Sequence, residues 1–516
     1  MPYGIDRMVY TKEMLMSDQL AQTDAADAAE LAHYGYEQVL DRQTGKFASF
    51  AVAFAFVSIA TGIFTTYGST LITSGPLGIW TWPIVTVGQL AVALVLGALA
   101  SRIPVTGYSY QWMSRLGNPL LGWIIGWISF MFLAVVVVAV DYTIASSVLP
   151  ALLHYGATRE LNWLVTAIVL VIQGILVATS TTWTERVNNV AVSAELGGMV
   201  TLAVLLLVVA AIRHQSDPSN LFSRGGLPSA GYFSLGSATH AGPWMLGFLL
   251  GAFTIVGFES AANLAEQTHD PERVVPRAMW QAVVASGALG FVFLIAVTLA
   301  IANPAALAKS STPIPDVIQH VLGSAVSSLL LVLVVLAIFA CGLVIMVTGS
   351  RLIWAMSRDA RFPGWRYWQQ VSPRTRTPLK ATVLYFVVAQ VILAVFSPSS
   401  TALFTLFAAG TLLPAVIYLA TVLLYIIRRG HLPETAKFNL GAWEKPVVIV
   451  ALVWLVFELA IFRDASFKDA WLYIAVMVVV GAIYLAGLYV RRGRTGLAMP
   501  EMSSIDAELD RQVGGE

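Results

Sequence analysis

Two short segments carry the residue types from which a small-molecule site can be built. They are Ser58-Ile59-Ala60-Thr61-Gly62-Ile63-Phe64 and Ile255-Val256-Gly257-Phe258-Glu259-Ser260, and 195 residues separate Gly62 from Gly257. Each interrupts an apolar run with glycine, hydroxyls or a carboxylate. A helix broken inside a bilayer exposes N–H and C=O groups that lipid cannot satisfy, so the break persists only where it lines a cavity or binds something. Two breaks at matching places in two halves of a chain mark a transport site.

The chemistry offered is binding and charge movement. At the first break, Ser58, Ile59, Ala60, Thr61 and Gly62 lead into the N-terminus of a half-helix. Free N–H groups and the positive end of the helix dipole favour a carboxylate there; the plainer alternative is that Gly and Thr only permit close helix packing. At the second break, Val256, Gly257 and Phe258 present carbonyls, and Glu259 can attract an ammonium or carry a proton. An acid at a helix centre costs about 2.5–3.5 kcal/mol, so Glu259 is either functional or held by neighbouring backbone. Phe253 precedes it and is either a gate or simple packing. Two more acids lie in apolar runs, Asp141 and Glu195, and both are candidates for proton coupling. Leu133, Val137 and Asp141 share one helical face at i, i+4 and i+8. Glu458, close to Arg463 and Asp464, is expected to reach outward to the membrane surface.

The elements that must position these residues follow from composition. Of 516 residues, 57% are hydrophobic and 11% charged, with a mean hydropathy of +0.75, values that exclude a soluble globular protein of this size. Twelve stretches reach the roughly 20 residues needed to cross a bilayer: 47–72, 78–100, 119–149, 161–183, 187–212, 244–266, 277–302, 324–354, 379–396, 401–427, 446–462 and 468–490. They are numbered helices 1–12. Continuous apolar runs, rather than alternating ones, predict an all-α polytopic bundle and not a barrel.

With the N-terminus placed in the cytoplasm, only six of the 30 Lys and Arg residues fall outside (Arg159, Arg213, Arg224, Lys309, Arg463 and Lys468). That asymmetry predicts both termini inside, in the cytoplasmic membrane. The polar, acidic segment 1–46 reads as a mobile tail with a short helix near residues 25–40, and it fits neither a signal nor a transit peptide. The Gly-, Ser- and Pro-rich segment 213–243 divides the chain into a first repeat, 47–212, and a second, 244–427. Five crossings per repeat invert the second copy. Helices 11 and 12 (428–490) and a tail (491–516) complete the organisation.

Other function classes find no support. The single cysteine, Cys341, is expected as a packed small residue and allows no intrachain disulfide. No phosphate-binding loop, metal-ligand cluster or nucleophilic triad is evident, so neither ATP drive, a resident metal or cofactor nor enzymatic catalysis is expected. The net charge of +1 and the absence of a long basic run give no sign of nucleic acid. All seven histidines fall in tails, loops or their margins, so no histidine relay crosses the membrane. The spacings Gly122-x-x-x-Gly126 and Gly247-x-x-x-Gly251 are read as packing.

The run from Leu31 to Arg42, the Thr61-Gly62-Ile63-Phe64 break, the stretch Gly257–Ala278 containing Glu266, Asp270, Pro271 and Pro276, and Ser357–Pro363 together resemble the amino acid/choline transporter branch of the amino acid–polyamine–organocation superfamily. The resemblance covers about residues 31–490, with Gln267 replacing a second Glu that members commonly carry. It implies a five-plus-five inverted-repeat fold with helices 1 and 6 broken, and alternating access to a central site. It also implies Phe253 as an aromatic gate, Leu133 and Val137 in the pocket wall, and Glu195 near the place where some proton-coupled relatives put a lysine. Related sodium-driven folds draw hydroxyl ligands from helix 8, but Leu329–Val347 contains no Ser, Thr, Asp, Asn, Glu or Gln. Protons are therefore the expected coupling ion. The resulting expectation is a secondary transporter importing a small amino acid or amine. Alternatives are a sodium-independent exchanger, a choline or γ-aminobutyrate carrier, and a non-transporting receptor.

Overall fold

A computed structural model describes residues 24–492 apart from 30, 157, 397–399 and 433–436. The first 23 residues, the tail from 493 and most of the charge-free loop 397–400 lie outside the described residues. Among the described residues the protein is helical, with one isolated backbone bridge between Thr44 and Thr268.

Among the described residues nine helices are long and apolar enough to cross a membrane, and three further apolar segments, Pro243–Thr254, Leu379–Phe396 and Glu444–Ile461, match the remaining expected stretches. Boundaries move by a few residues: helix 5 begins at Thr181 and helix 8 continues to Arg358. Local sequence explains several starts. Asn118, Thr158 and Ser180 accept hydrogen bonds from Leu121, Leu161 and Trp183 N–H, capping helices 3, 4 and 5. Helix 1 divides into Lys46–Val57 and Ile59–Thr73, and helix 6 into Leu249–Thr254 and Ser260–Asn263.

The small-residue spacings do pack backbones closely. A Cβ at Gly122 would fall 1.8 Å from Ser114 Oγ and one at Gly126 would lie 2.8 Å from Tyr110. Helix 3 thereby seats the buried segment Tyr108–Gly117 that links it to helix 2. Gly251 meets Val85 in the same way, joining helix 6 to helix 2.

The face at which helix 1 begins is closed by ion pairs and by the chain's own N-terminal segment. Glu266, after helix 6, receives two 3.0 Å hydrogen bonds from Arg358 at the end of helix 8 and a third from Thr106 N–H. Asp359 accepts from Tyr36, Tyr110 and Gln111 at 2.8, 2.7 and 3.2 Å, and the Arg358 guanidinium lies 3.5 Å over the Tyr36 ring. Gln267, at the position where resembling proteins carry an acid, accepts from Arg351 Nε at 3.0 Å.

Residues 31–45, expected within a mobile tail, instead run beneath the helices. Tyr34 and Tyr36 are buried, the N–H groups of Gln43 and Thr44 donate to Gln267 O, and His269 N–H donates back to Thr44 O. Arg42 lies 3.5 Å from Asp27, whose burial nevertheless holds its carboxyl above the ordinary aspartate range. Aromatic bulk and exactable donors fix this segment, which hydropathy alone reads as polar tail. Glu266→Ala would leave Arg358 without its carboxylate partner. A loss of ~3 kcal/mol is expected, read as a lowered thermal unfolding midpoint of the detergent-solubilised protein, with rescue by Glu266→Asp only partial.

Candidate functional site

Ser58 breaks helix 1. Its backbone sits at φ 32°, outside the helical region, and its N–H closes the first half by donating to Phe54 O at 2.8 Å. The second half then starts with four N–H groups to satisfy. Thr61 N–H donates to Ser58 Oγ at 3.3 Å and Gly62 N–H to Ser58 O at 3.0 Å. Ala60 N–H donates to Glu195 Oε1 of helix 5 at 3.1 Å, and Ser58 Oγ donates to the same oxygen at 3.0 Å. The anion-binding end anticipated from sequence therefore holds the protein's own carboxylate. On the other side of the break, the orphan carbonyl of Phe56 accepts from the buried Cys341 thiol of helix 8 at 3.3 Å.

The second break spans Ile255–Glu259. Gly257 adopts φ +83°, a conformation that side chains disfavour. Its N–H donates to the Tyr418 hydroxyl of helix 10 at 3.0 Å, and that hydroxyl donates to Glu259 Oε2 at 2.5 Å. The Phe258 and Tyr418 rings pack with centroids 5.3 Å apart. One phenol thus satisfies both the backbone of the break and its carboxylate.

The two breaks lie against each other reciprocally. A Cβ at Gly62 would fall 2.0 Å from Thr254, just before the second break. A Cβ at Gly257 would fall 1.8 Å from Phe56, just before the first. Each glycine is the socket for a side chain of the other broken helix. Ile59, Ala60 and Val256 are buried. Phe253, also buried, meets Phe407 of helix 10 edge-to-face at 5.4 Å. Beyond these rings a cavity of about 160 Å³ opens, lined by Thr65, Ser69, Leu249 and Thr411 among others.

On helix 3 the residues directed at this region are Phe132, whose ring lies 6.0 Å from that of Phe56, Val136, which packs at Gly410 beside Phe253, and Thr143, bonded to Thr65 at 3.1 Å. Leu133 and Val137 are buried, and Asp141 on their face accepts from Gln173 Nε2 of helix 4 at 2.9 Å and lies against Gly342 of helix 8. Its partner is thus a side-chain amide. Glu458 departs from expectation: it is fully buried and accepts from Gln89 Nε2 of helix 2 at 3.3 Å. Helix 11 turns that residue toward helix 2 rather than toward the surface, so no outward reach is open to it. Tyr418 and Gln173 were not singled out from sequence, since a tyrosine or glutamine in an apolar run shows no spacing signal of its own.

A family model described as amino acid permease matches residues 45–485. The chain belongs to the amino acid permease family. Its members are transporters, not enzymes, and the nine long apolar helices among the described residues make this permease a multi-pass membrane protein. An uncharacterized amino-acid permease of Schizosaccharomyces pombe is 26% identical over 505 residues, covering 94% of this chain and 91% of the relative. Amino-acid permease BAT1 of Arabidopsis thaliana is 24% identical over 450 residues, 83% and 86% of the two chains. Thiamine transporter thi9 of Schizosaccharomyces pombe is 24% identical over 485 residues, 85% and 80%. In this permease Gly257→Ala must push Phe56 aside and hold a side chain at positive φ, which alone costs ~1–3 kcal/mol. At about 1.4 kcal/mol per decade, uptake of any substrate should fall roughly tenfold or more, measured against surface-expressed protein.

Proposed function

We propose that this protein imports a small amino acid or amine across the cytoplasmic membrane by alternating access, coupled to protons. Both termini then lie in the cytoplasm, and helices 1, 2, 6 and 7 form the bundle that rocks. The observation that carries the reading is Glu195 on the half-helix of the first break. Its carboxylate holds the Ala60 N–H and the Ser58 hydroxyl, which are donors a substrate carboxylate would need. Two anions cannot share them. A proton delivered to Glu195 removes its charge, weakens its hold on the half-helix and frees that end for the substrate's carboxylate. Proton and amino acid are thereby taken up together.

The amino group lies toward the second break, where the Val256–Phe258 carbonyls and the Glu259 carboxylate attract a cation. Tyr418 holds Glu259 in place and reports its occupancy to helix 10. Phe253 closes the site from the cavity it borders, and the Glu266–Arg358 and Asp359–Tyr36 contacts close the opposite face. Opening one side requires breaking one set while keeping the other. A second reading, transport of an amine without a carboxylate, is favoured by Glu259 together with similarity to a protein named as a thiamine transporter. In that case Glu195 stays seated throughout.

Purified protein in liposomes, offered labelled amino acids, γ-aminobutyrate, choline and thiamine under an imposed pH gradient, sodium gradient or internal counter-substrate, separates these readings. Accumulation of a zwitterion driven by the pH gradient alone is expected. Glu195→Gln should abolish proton-driven accumulation while sparing counter-substrate exchange; unchanged accumulation would overturn the assignment. Glu259→Gln should weaken uptake and flatten its pH dependence, and an unchanged profile at every pH would remove Glu259 from the coupling.

A further inference from the structure

The four acids buried among the helices fall into two kinds by what donates to them. Glu195 and Glu259 each receive a hydroxyl, and Glu195 a backbone N–H as well. Glu458 and Asp141 each receive one hydrogen bond, and in both cases it comes from the side-chain amide of a glutamine on another helix. The leftovers match. Glu458 Oε1 and Gln89 Oε1 are buried without partners, and so are Asp141 Oδ2 and Gln173 Oε1. Each pair therefore contains two orphaned acceptors, and neither side chain retains a means of satisfying them while the acid is ionised.

One proton cures both orphans. A protonated carboxylic acid gains an O–H donor, so the acid can accept from the amide NH₂ through one oxygen and donate to the amide C=O through the other. We propose that Glu458 and Gln89 are a proton-binding site of this protein, separate from the two helix breaks, in which a bound proton turns a single hydrogen bond between helix 2 and helix 11 into a two-bond acid–amide pair. Asp141 and Gln173 repeat the same chemistry between helices 3 and 4, which argues that the pattern is built rather than accidental.

Apart from the Gln89 amide and the Trp454 indole on its own helix, no polar or charged group of the packed helices compensates charge on Glu458 among the described residues. Helix 2 carries no ionisable residue before Arg102 at its far end, Pro243–Thr254 carries none, and helix 10 carries no charged residue before Arg428. The titratable group in the middle of helix 10, Tyr418, is bonded to Glu259. On helix 11 itself, the Trp454 indole N–H one turn back is directed toward the carboxyl from just outside hydrogen-bond geometry. Among the described residues no Lys, Arg or His forms an ion pair with Glu458. Exchange with bulk water through this junction would couple its rigidity to pH. The site itself stands whether or not helix 2 moves during transport.

Infrared spectroscopy of the full-length protein in liposomes tests the site directly. At neutral pH the wild type should show the C=O stretch of a hydrogen-bonded carboxylic acid that Glu458→Gln removes and Glu195→Gln does not. The band should shift in Gln89→Leu, which keeps the acid but deletes the amide. Absence of any band lost in Glu458→Gln would show the acid ionised and overturn the proposal. Spin labels at the lipid-exposed positions Ile84 and Ile449 provide the second arm, with Cys341 buried and unlabelled. One narrow helix 2–helix 11 distance at neutral pH should broaden at alkaline pH in the wild type and stay narrow in Glu458→Gln, whose amide keeps a two-bond pair at every pH. A distance that broadens equally in both would also overturn it.

Discussion

A backbone polar group inside a bilayer has no water to turn to, and the architecture around the two breaks is an answer to that constraint. Interrupting helix 1 at Ser58 strands N–H groups on one side and carbonyls on the other. Glu195 and the Ser58 hydroxyl take the first, and the Cys341 thiol takes the Phe56 carbonyl. At the second break the Tyr418 hydroxyl serves both Gly257 N–H and Glu259. Helices 5, 8 and 10 are thus tied to the breaks by the groups that the breaks would otherwise leave unsatisfied. A change in any of those ties leaves a buried backbone group without its partner.

The same accounting separates the buried acids by their donors. Carboxylates that receive hydroxyl or N–H donors sit at the breaks, which is where the proposed exchange against a ligand is placed. Acids that receive a single amide bond lie between pairs of helices away from the breaks, where an added proton improves the fit. Burial is nearly equal for all four. Donor type, not depth, distinguishes them.

Much of this was legible in the linear pattern. Apolar runs of about 20 residues announce the twelve segments, because the bilayer thickness imposes that length. The glycine-containing interruptions announce the breaks, because lipid excludes them elsewhere. Glu195 stood out as an acid in an apolar run, but its place at the first break did not, since 137 residues separate it from Ser58. Tyr418 and Gln173 were hidden for a related reason: a single polar tip on an apolar helix has no period. Glu458 was misjudged because a residue near charged neighbours in sequence can face away from them once the helix is packed.

Sequence by itself therefore determined the membrane class, the number of crossings, the positions of both breaks and which residues could bear charge, all of which depend on local composition and period. Only the tertiary structure decided which donor meets which acid, that Gly62 and Gly257 are sockets for Thr254 and Phe56, and that residues 31–45 strap the face where helix 1 begins. Those facts depend on helix rotation and on contacts between residues far apart in the chain. A rotation of one residue, about 100° on a helix of 3.6 residues per turn, exchanges one partner for another while leaving hydropathy unchanged.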